Sequence, residues 1–264
     1  FPLAARSMLL HGCVRTAVFQ DERYTDRYLS RVARFAAHEI RPHAGAPLTL
    51  ESARHIALWM CYQDTIQVAH QKIRRRRLEA VRDEARAAPG QLLNVREYLH
   101  PQVQEITDTL PAPLGRLLAR SAVFHRIVGR VTRRGMVVNT TGILGFTSLW
   151  VTARVRPLRA MSLRFGREQD AIDRWLDRAE SVAATDYDLA CEIIRCQSVL
   201  KGYGATWEHG QASFDVLMQA AERLRGHPEG ATIVAKLRSA ALADDSGVAL
   251  DREWAVYCTE MAAD

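Results

Sequence analysis

Apolar residues recur at helical spacing along almost the whole chain, and apolar–polar alternation with a period of two is scarce. This pattern predicts a mainly α fold, a multi-helix bundle with at most one short two-stranded β ribbon. The ribbon would pair a strand within 91–99 with a strand over 136–140. The predicted helices span 3–19, 22–40, 50–88, 143–161, 166–183, 186–200, 211–225, 229–243 and 250–262.

The predicted helix over 50–88 carries an apolar stripe with a period of seven residues. Trp59, Ile66, Ile73 and Ala80 form the repeat, with Tyr62 and Ala69 in companion positions. Such a stripe is typical of a helix that packs against one or two neighbours. Side chains that can accept a backbone hydrogen bond mark the predicted helix starts: Thr49 before this helix, Thr185 with Asp188 before the helix over 186–200, and Asp251 at the last helix.

Residues 41–47 contain two prolines and one glycine, a composition that ends a helix and favours a short linker. We therefore place a boundary between 1–41 and 42–264. The chain begins Phe-Pro-Leu without an initiator methionine, so we expect a fragment or a processed piece.

The chain of 264 residues has a formal net charge of +6, and its densest basic cluster is Lys72, Arg74, Arg75, Arg76 and Arg77. Five cations in about one and a half helical turns must wrap around the helix. Either they form a solvated helix face or they contact an acidic partner. Aromatic residues do not interleave with them, as they do in single-strand nucleic-acid platforms.

The sequence lacks the common signatures of a catalytic or metal site. Its five cysteines are scattered without a C-x-x-C pair, which favours buried, reduced thiols. Its nine histidines form no H-E-x-x-H, and neither a phosphate loop nor a G-x-S-x-G elbow occurs. We predict no catalytic residue and no metal site in this segment.

Membrane association is also not expected. Segment 1–20 lacks the apolar core of a signal peptide, and the apolar run over 136–155 is interrupted by polar residues and glycines. These features predict a cytoplasmic protein.

Residues 201–210, Lys-Gly-Tyr-Gly-Ala-Thr-Trp-Glu-His-Gly, interrupt the helical pattern with three glycines. They could form a helix–loop–helix corner in which Gly202 or Gly204 ends the first helix. Alternatively, the loop could gather polar side chains at an interface or an anion site. The candidate residues are Lys201, Gly202, Tyr203, Gly204, Thr206, His209 and Gly210.

Three further polar residues are candidates for structural roles. Tyr62 and Asp64 lie on the apolar side of the helix over 50–88, where a buried carboxylate needs a hydrogen-bonding partner. A structural contact is favoured there over a catalytic carboxylate. His100, directly before Pro101, indicates a turn more than a site.

Three segments resemble a known helical region. They are Leu-Trp-Met-Cys-Tyr-Gln-Asp-Thr at 58–65, Leu-His-Pro at 99–101 with Asp-Thr-Leu-Pro-Ala-Pro-Leu-Gly at 108–115, and Leu-Lys-Gly-Tyr-Gly at 200–204. Together they resemble the C-terminal helical domain of unknown function of indolepyruvate:ferredoxin oxidoreductase beta (gamma-type) subunit-like proteins, over about 20–225. Tyr24-x-x-x-Tyr28-Leu29-x-Arg31 resembles the tail that joins this domain to a preceding catalytic-subunit domain. The chain departs from the family pattern over 205–210, where the expected first His and Arg are absent.

The resemblance implies a helical tail of a preceding domain over 1–41 and a non-catalytic accessory domain over 42–264. The whole enzyme would oxidatively decarboxylate aryl 2-oxo acids with coenzyme A. Its thiamine diphosphate and iron–sulfur clusters would lie on other parts, since no matching thiamine motif or cysteine cluster occurs here. The implied partners are the catalytic domains or subunits of that enzyme, with ferredoxin as the electron acceptor of the complex. The alternative is an independent basic helical module that binds nucleic acid or another anionic surface, of which nucleic acid is the less expected ligand.

Overall fold

The computed structural model describes residues 1–88, 90–99, 107–132, 136–202 and 205–260. The fold is mainly α with one two-stranded ribbon, as the periodicity predicts. In chain order the helices are α1 (Arg6–Phe19), α2 (Glu22–Ala36), α3 (Pro47–Met60), α4 (Thr65–Lys72), α5 (Arg75–Glu84), α6 (Ala112–Ala119), α7 (Ala122–Thr132), α8 (Ile143–Arg154), α9 (Leu163–Ala183), α10 (Tyr187–Arg195), α11 (Ala205–Arg223), α12 (Gly230–Ala243) and α13 (Val248–Glu260). Short 3-10 helices span Leu3–Ala5, Arg156–Met161 and Cys196–Val199.

The chain divides into two compact units. Unit 1 combines residues 1–61 with 171–264, and unit 2 comprises residues 62–170. We predicted a tail of a preceding domain over 1–41 and an accessory domain over 42–264. This division refers to a preceding domain that only the resemblance implies, so it stays a prediction.

Unit 1 is a helical bundle in which α3 packs against α1, α2 and α10. Its core contains Trp59, Trp175 and Phe214, with the ring centroid of Trp59 5.1 Å from that of Trp175 and 5.2 Å from that of Phe214. The buried hydroxyls of Tyr24 and Tyr28 donate to backbone carbonyls, as burial requires. For example, the hydroxyl of Tyr28 donates to the carbonyl of Ala53 at 3.0 Å.

Unit 2 contains the ribbon. Strands β1 (Arg96–Leu99) and β2 (Met136–Asn139) are antiparallel, with Arg96 opposite Asn139 and Glu97 opposite Val138. The ribbon prediction is confirmed, although β1 covers only the last four residues of the predicted span. Helix α4 packs against α8 in the same unit.

The prediction of one helix over 50–88 is wrong. The chain has three helices there, because Asp64 adopts an extended backbone and caps α4, with its Oδ1 accepting the N–H of Gln67 at 2.7 Å. A second break falls at Arg74, whose backbone is also extended. The apolar stripe is therefore divided: Trp59 lies in the core of unit 1, whereas Ile66 is buried in unit 2.

The predicted N-caps are wrong for a related reason. Pro47 begins α3, so Thr49 lies inside its first turn, where its N–H and hydroxyl both donate to Glu39. Asp186 caps α10 in place of Thr185 and Asp188. Asp251 lies within the first turn of α13, and the carboxylate of Asp244 accepts the N–H of Ala249 there. In each case the side chain that reaches the exposed N–H groups is set by where the preceding loop runs.

Several helix ends also differ from prediction. Helix α2 ends at Ala36 instead of continuing to residue 40, and α8 ends at Arg154 before a separate 3-10 helix. Helix α10 likewise ends at Arg195, before the 3-10 helix Cys196–Val199.

Candidate functional site

Residues 205–210 of the glycine-rich segment 201–210 are helical. Gly202 has φ of +80°, a conformation that glycine adopts without strain, and α11 begins at Ala205 instead of the predicted residue 211. Gly210 is buried in α11, where a Cβ atom would lie 2.6 Å from the carbonyl oxygen of Val199. This close approach explains why a glycine is required at position 210.

The polar residues of this segment do not form a cluster among the described residues. Lys201 pairs with Asp245 at 3.1 Å, Thr206 is half-buried beside Gly202, and His209 is exposed. Tyr203 and Gly204 lie outside the described residues. The alternative that the segment serves an interface or an anion site stays a prediction.

Asp64 is buried in unit 2, and its carboxylate accepts two hydrogen bonds from the guanidinium of Arg159, at 2.6 and 3.0 Å. Tyr62 is also buried, and the guanidinium of Arg164 lies 5.0 Å from its ring centroid. His100 lies outside the described residues. Asp64 therefore has the hydrogen-bonding partners that a buried structural carboxylate needs.

The residues of the basic cluster at 72–77 differ in their local contacts. Lys72 and Arg77 both donate to the carboxylate of Glu97 on β1, and Arg75 pairs with Glu79 one helical turn away. Arg76 is exposed, and Arg74 lies at the mouth of a cavity. Three of the five cations thus pair with two carboxylates, since Lys72 and Arg77 share Glu97.

The cavity in unit 2 has a volume of about 570 Å³, within the range of small-molecule pockets. It lies where the C-terminal ends of α4 and α8 meet the start of the 3-10 helix Arg156–Met161. The lining residues are His70, Ile73, Arg74, Trp150, Ala153, Arg154, Arg156 and Pro157.

The charge of this lining is entirely positive. Three arginines contribute to it, and none of the lining residues is acidic. Neither Arg74 nor Arg154 forms an ion pair with a residue that the structure describes. The guanidinium of Arg154 lies over the ring of Trp150, 4.5 Å from its centroid. Such a lining attracts anions.

Burial and the positive charge of the lining both affect the pKa of His70. Burial lowers its pKa first, and the nearby charges of Arg74, Arg156 and Arg159 lower it further. Its Nδ1 is buried and has no hydrogen-bond partner among the described residues. A bound anion would offset the part of this lowering of the pKa that comes from the arginines.

A second cavity, of about 310 Å³, lies in unit 1. Its charged lining is compensated: Arg41 donates two hydrogen bonds to Asp188, and Arg195 pairs with Glu192 at 2.5 Å. Cys191 also lines it, and burial raises the pKa of this thiol to about 12. A thiol with that pKa is not a nucleophile at neutral pH. The unit 2 cavity is therefore the better candidate site.

The sequence predicted only one residue of that site, Arg74, as part of the basic cluster. His70, Trp150, Arg154 and Arg156 were missed. A usable signal was present, because Trp150 and Arg154 are four residues apart and therefore adjacent on one helix face.

Cys61, Cys191 and Cys196 are buried, and Cys13 and Cys258 are half-buried. Within the described ranges, no three or more His, Cys, Asp or Glu side chains are grouped to hold a metal ion. No described helix combines the length and apolar character that crossing a bilayer requires.

The fold and the cavity define a helical protein with a basic, aromatic-lined pocket. A model of a family of unknown function, DUF6537, matches residues 5–220, and the chain belongs to that family. No curated protein and no solved structure shows significant similarity to the chain.

Proposed function

We propose that this chain is a non-catalytic accessory region of an indolepyruvate:ferredoxin oxidoreductase-like enzyme. That enzyme would oxidatively decarboxylate aryl 2-oxo acids with coenzyme A and pass the electrons to ferredoxin. The segments 58–65, 108–115 and 200–204, which carry the resemblance, all fall within the family region 5–220. In this proposal, thiamine diphosphate and the iron–sulfur clusters are bound by other parts of the enzyme, in the cytoplasm.

An exposed apolar stripe on the N-terminal helical segment supports a contact role. Leu3 lies in the 3-10 helix before α1, whereas Leu10 and Val14 are four residues apart on one face of α1. Their exposed fractions are 76%, 67% and 65%. Each such side chain would contribute about 1.5–3 kcal/mol if fully buried at an interface. The stripe lies in the segment 1–41, which the resemblance assigns to the tail of a catalytic-subunit domain, so we assign the stripe to contact with that domain.

The test is purification of the natural enzyme by a tag on this chain. We expect the preparation to reduce a viologen dye when supplied with coenzyme A and indolepyruvate or phenylpyruvate, and to contain thiamine diphosphate and iron. A homogeneous preparation without 2-oxoacid-dependent dye reduction and without either cofactor would contradict the proposal.

Variants of the stripe test the contact itself. Leu10→Glu and Val14→Glu should lower the dye-reducing activity that is recovered with the tagged chain, because they place a charge in the proposed interface. Leu117→Glu is the matched control, since Leu117 is 68% exposed on α6 in unit 2. An equal loss in the control, or no loss in the two stripe variants, would argue against this interface.

The alternative function is binding to nucleic acid through the basic cluster. The contacts of Lys72 and Arg77 with Glu97, and of Arg75 with Glu79, reduce the charge that this cluster presents. We therefore expect negligible binding to single-stranded and duplex DNA at low salt. Affinity that falls steeply with salt would instead favour the alternative.

A further inference from the structure

We propose that the cavity of unit 2 binds a nucleoside phosphate, a ligand that combines a phosphate group with a planar ring. This inference concerns a ligand site within the chain and does not depend on attachment to an oxidoreductase. The argument uses the charge of the lining, its aromatic wall and its volume.

The charge of the lining favours a multiply charged anion. The C-terminal ends of α4 and α8 meet at the cavity, and each contributes about half a negative charge. Together they offset only about one of the two positive charges of Arg74 and Arg154. The cavity therefore keeps a net positive charge, which a phosphate group can neutralise.

Arginine is suited to this role at both positions. Arg74 is exposed at the break between α4 and α5, where its guanidinium can reach a ligand at the mouth of the cavity. The guanidinium of Arg154 lies over the ring of Trp150. A guanidinium held next to an aromatic ring can still direct its N–H donors at phosphate oxygens.

The uncharged residues of the lining favour a ligand that has a planar ring next to its phosphate group. Trp150 is 42% exposed, and Ile73, Ala153 and Pro157 supply further apolar surface. A volume of about 570 Å³ would leave a free phosphate ion surrounded mainly by water, whereas a nucleotide would fill much more of it. Aromatic side chains stack on nucleobases, and this stacking strengthens binding by roughly 1–3 kcal/mol per base in single-stranded complexes, a factor of about 5–150.

Calorimetric titration of the 264-residue chain with ADP and with pyrophosphate tests the assignment. We expect saturable binding of ADP at one site, with pyrophosphate at least fivefold weaker because it lacks the ring. Arg74→Gln and Arg154→Gln should each weaken ADP binding at least tenfold, as expected for loss of a charge-assisted hydrogen bond. Arg76→Gln is the matched control and should change the affinity less than twofold, because Arg76 belongs to the same basic cluster but does not line the cavity.

Substitution of Trp150 tests the contribution of the ligand's ring separately from that of its phosphate groups. Trp150→Leu should weaken ADP at least fivefold and weaken pyrophosphate by a smaller factor, because the ring contacts the nucleobase directly but affects the phosphates only through its contact with Arg154. Three outcomes would overturn the proposal: no saturable ADP binding at millimolar concentration, equal affinity for pyrophosphate and ADP, or an effect of Arg76→Gln equal to that of the cavity variants.

Thermal unfolding of each variant identifies any that fails to fold, and the exposed positions 74 and 154 provide two independent charge variants. Loss of ADP binding would leave the proposed oxidoreductase association intact, since that is measured by dye reduction of the natural enzyme.

Discussion

The guanidinium of Arg159 and the carboxylate of Asp64 form a buried ion pair, joined by hydrogen bonds of 2.6 and 3.0 Å. Their side chains are only 1% and 4% exposed. Asp64 also caps α4, so the pair connects the start of that helix to the 3-10 helix Arg156–Met161. Both elements contribute residues to the cavity of unit 2.

Removal of one partner of this pair should be strongly destabilising. We expect Arg159→Met to lower the free energy of unfolding by roughly 3–5 kcal/mol, because it leaves the Asp64 carboxylate buried without its cation. Urea denaturation measures the change.

Two controls accompany this prediction. The double variant Asp64→Asn with Arg159→Met should recover part of the loss, since it removes both charges. Arg75→Met breaks an exposed pair with Glu79 and should cost less than about 0.5 kcal/mol. A loss in Arg159→Met no larger than in Arg75→Met would show that the buried pair contributes little.

Glu39 provides a pH-dependent contribution to the stability of unit 1. Partial burial raises the pKa of its carboxyl, but hydrogen bonds from Tyr187, Thr49 and Arg41 outweigh that effect and hold the pKa below its ordinary value of 4.5. Its contribution is therefore fully present above about pH 4.5 and is lost as pH falls through the lowered pKa. We expect Glu39→Gln to lower the free energy of unfolding by about 1–3 kcal/mol at pH 7.

The difference between wild type and Glu39→Gln should shrink as the pH falls below about 4.5, because the unfolded chain is protonated at Glu39 there while the folded protein keeps the carboxylate until the pH reaches its lowered pKa. Chemical denaturation at a series of pH values measures it. Glu79→Gln, at an exposed position, serves as the control. A difference that stays constant down to pH 3 would show that Glu39 does not have a lowered pKa.

Two glycines within helices should respond oppositely to substitution by alanine. A Cβ atom at Gly210 would lie 2.6 Å from the backbone carbonyl oxygen of Val199, so Gly210→Ala should destabilise by about 1–3 kcal/mol. At Gly166, in α9, a methyl group would have no heavy atom of the described residues within 4 Å, so Gly166→Ala should stabilise by up to about 1 kcal/mol. Thermal unfolding measures the stability of both variants. Destabilisation by both substitutions would contradict the proposed difference in space around the two glycines.

The pKa of His70 should follow the charge of its surroundings. Burial lowers this pKa first, and the charged groups that lower it further are Arg74, Arg156 and Arg159, the last of which is paired with Asp64. Arg74→Gln removes one of these positive charges and should raise the pKa of His70. An NMR titration of histidine-labelled protein measures it, with His70→Gln to assign the resonance.

Arg76→Gln is the control for that titration and should leave the pKa of His70 unchanged, since Arg76 is not among the charges that act on it. Addition of ADP should also raise the pKa, because the phosphates add negative charge near the ring. An unchanged His70 pKa in Arg74→Gln would contradict the assigned electrostatic environment.

Local sequence patterns determined the class of fold. Helical spacing predicted the mainly α architecture, and short apolar segments at 91–99 and 136–140 predicted the ribbon formed by β1 and β2. These features depend on neighbouring residues along one element, so the sequence contains them directly. The basic cluster was also evident, and it includes one residue of the cavity, Arg74.

The tertiary structure decided where the long predicted helix breaks and which residues meet. The sequence pattern placed Asp64 inside one long helix, but its buried pairing with Arg159, ninety-five positions later, accompanies an extended backbone that ends the apolar stripe. In the same way, His70 and Trp150 are eighty positions apart in sequence, yet both line one cavity. Periodicity describes the faces of single helices, whereas such contacts depend on which faces pack together and on the free energy of burying charges as pairs.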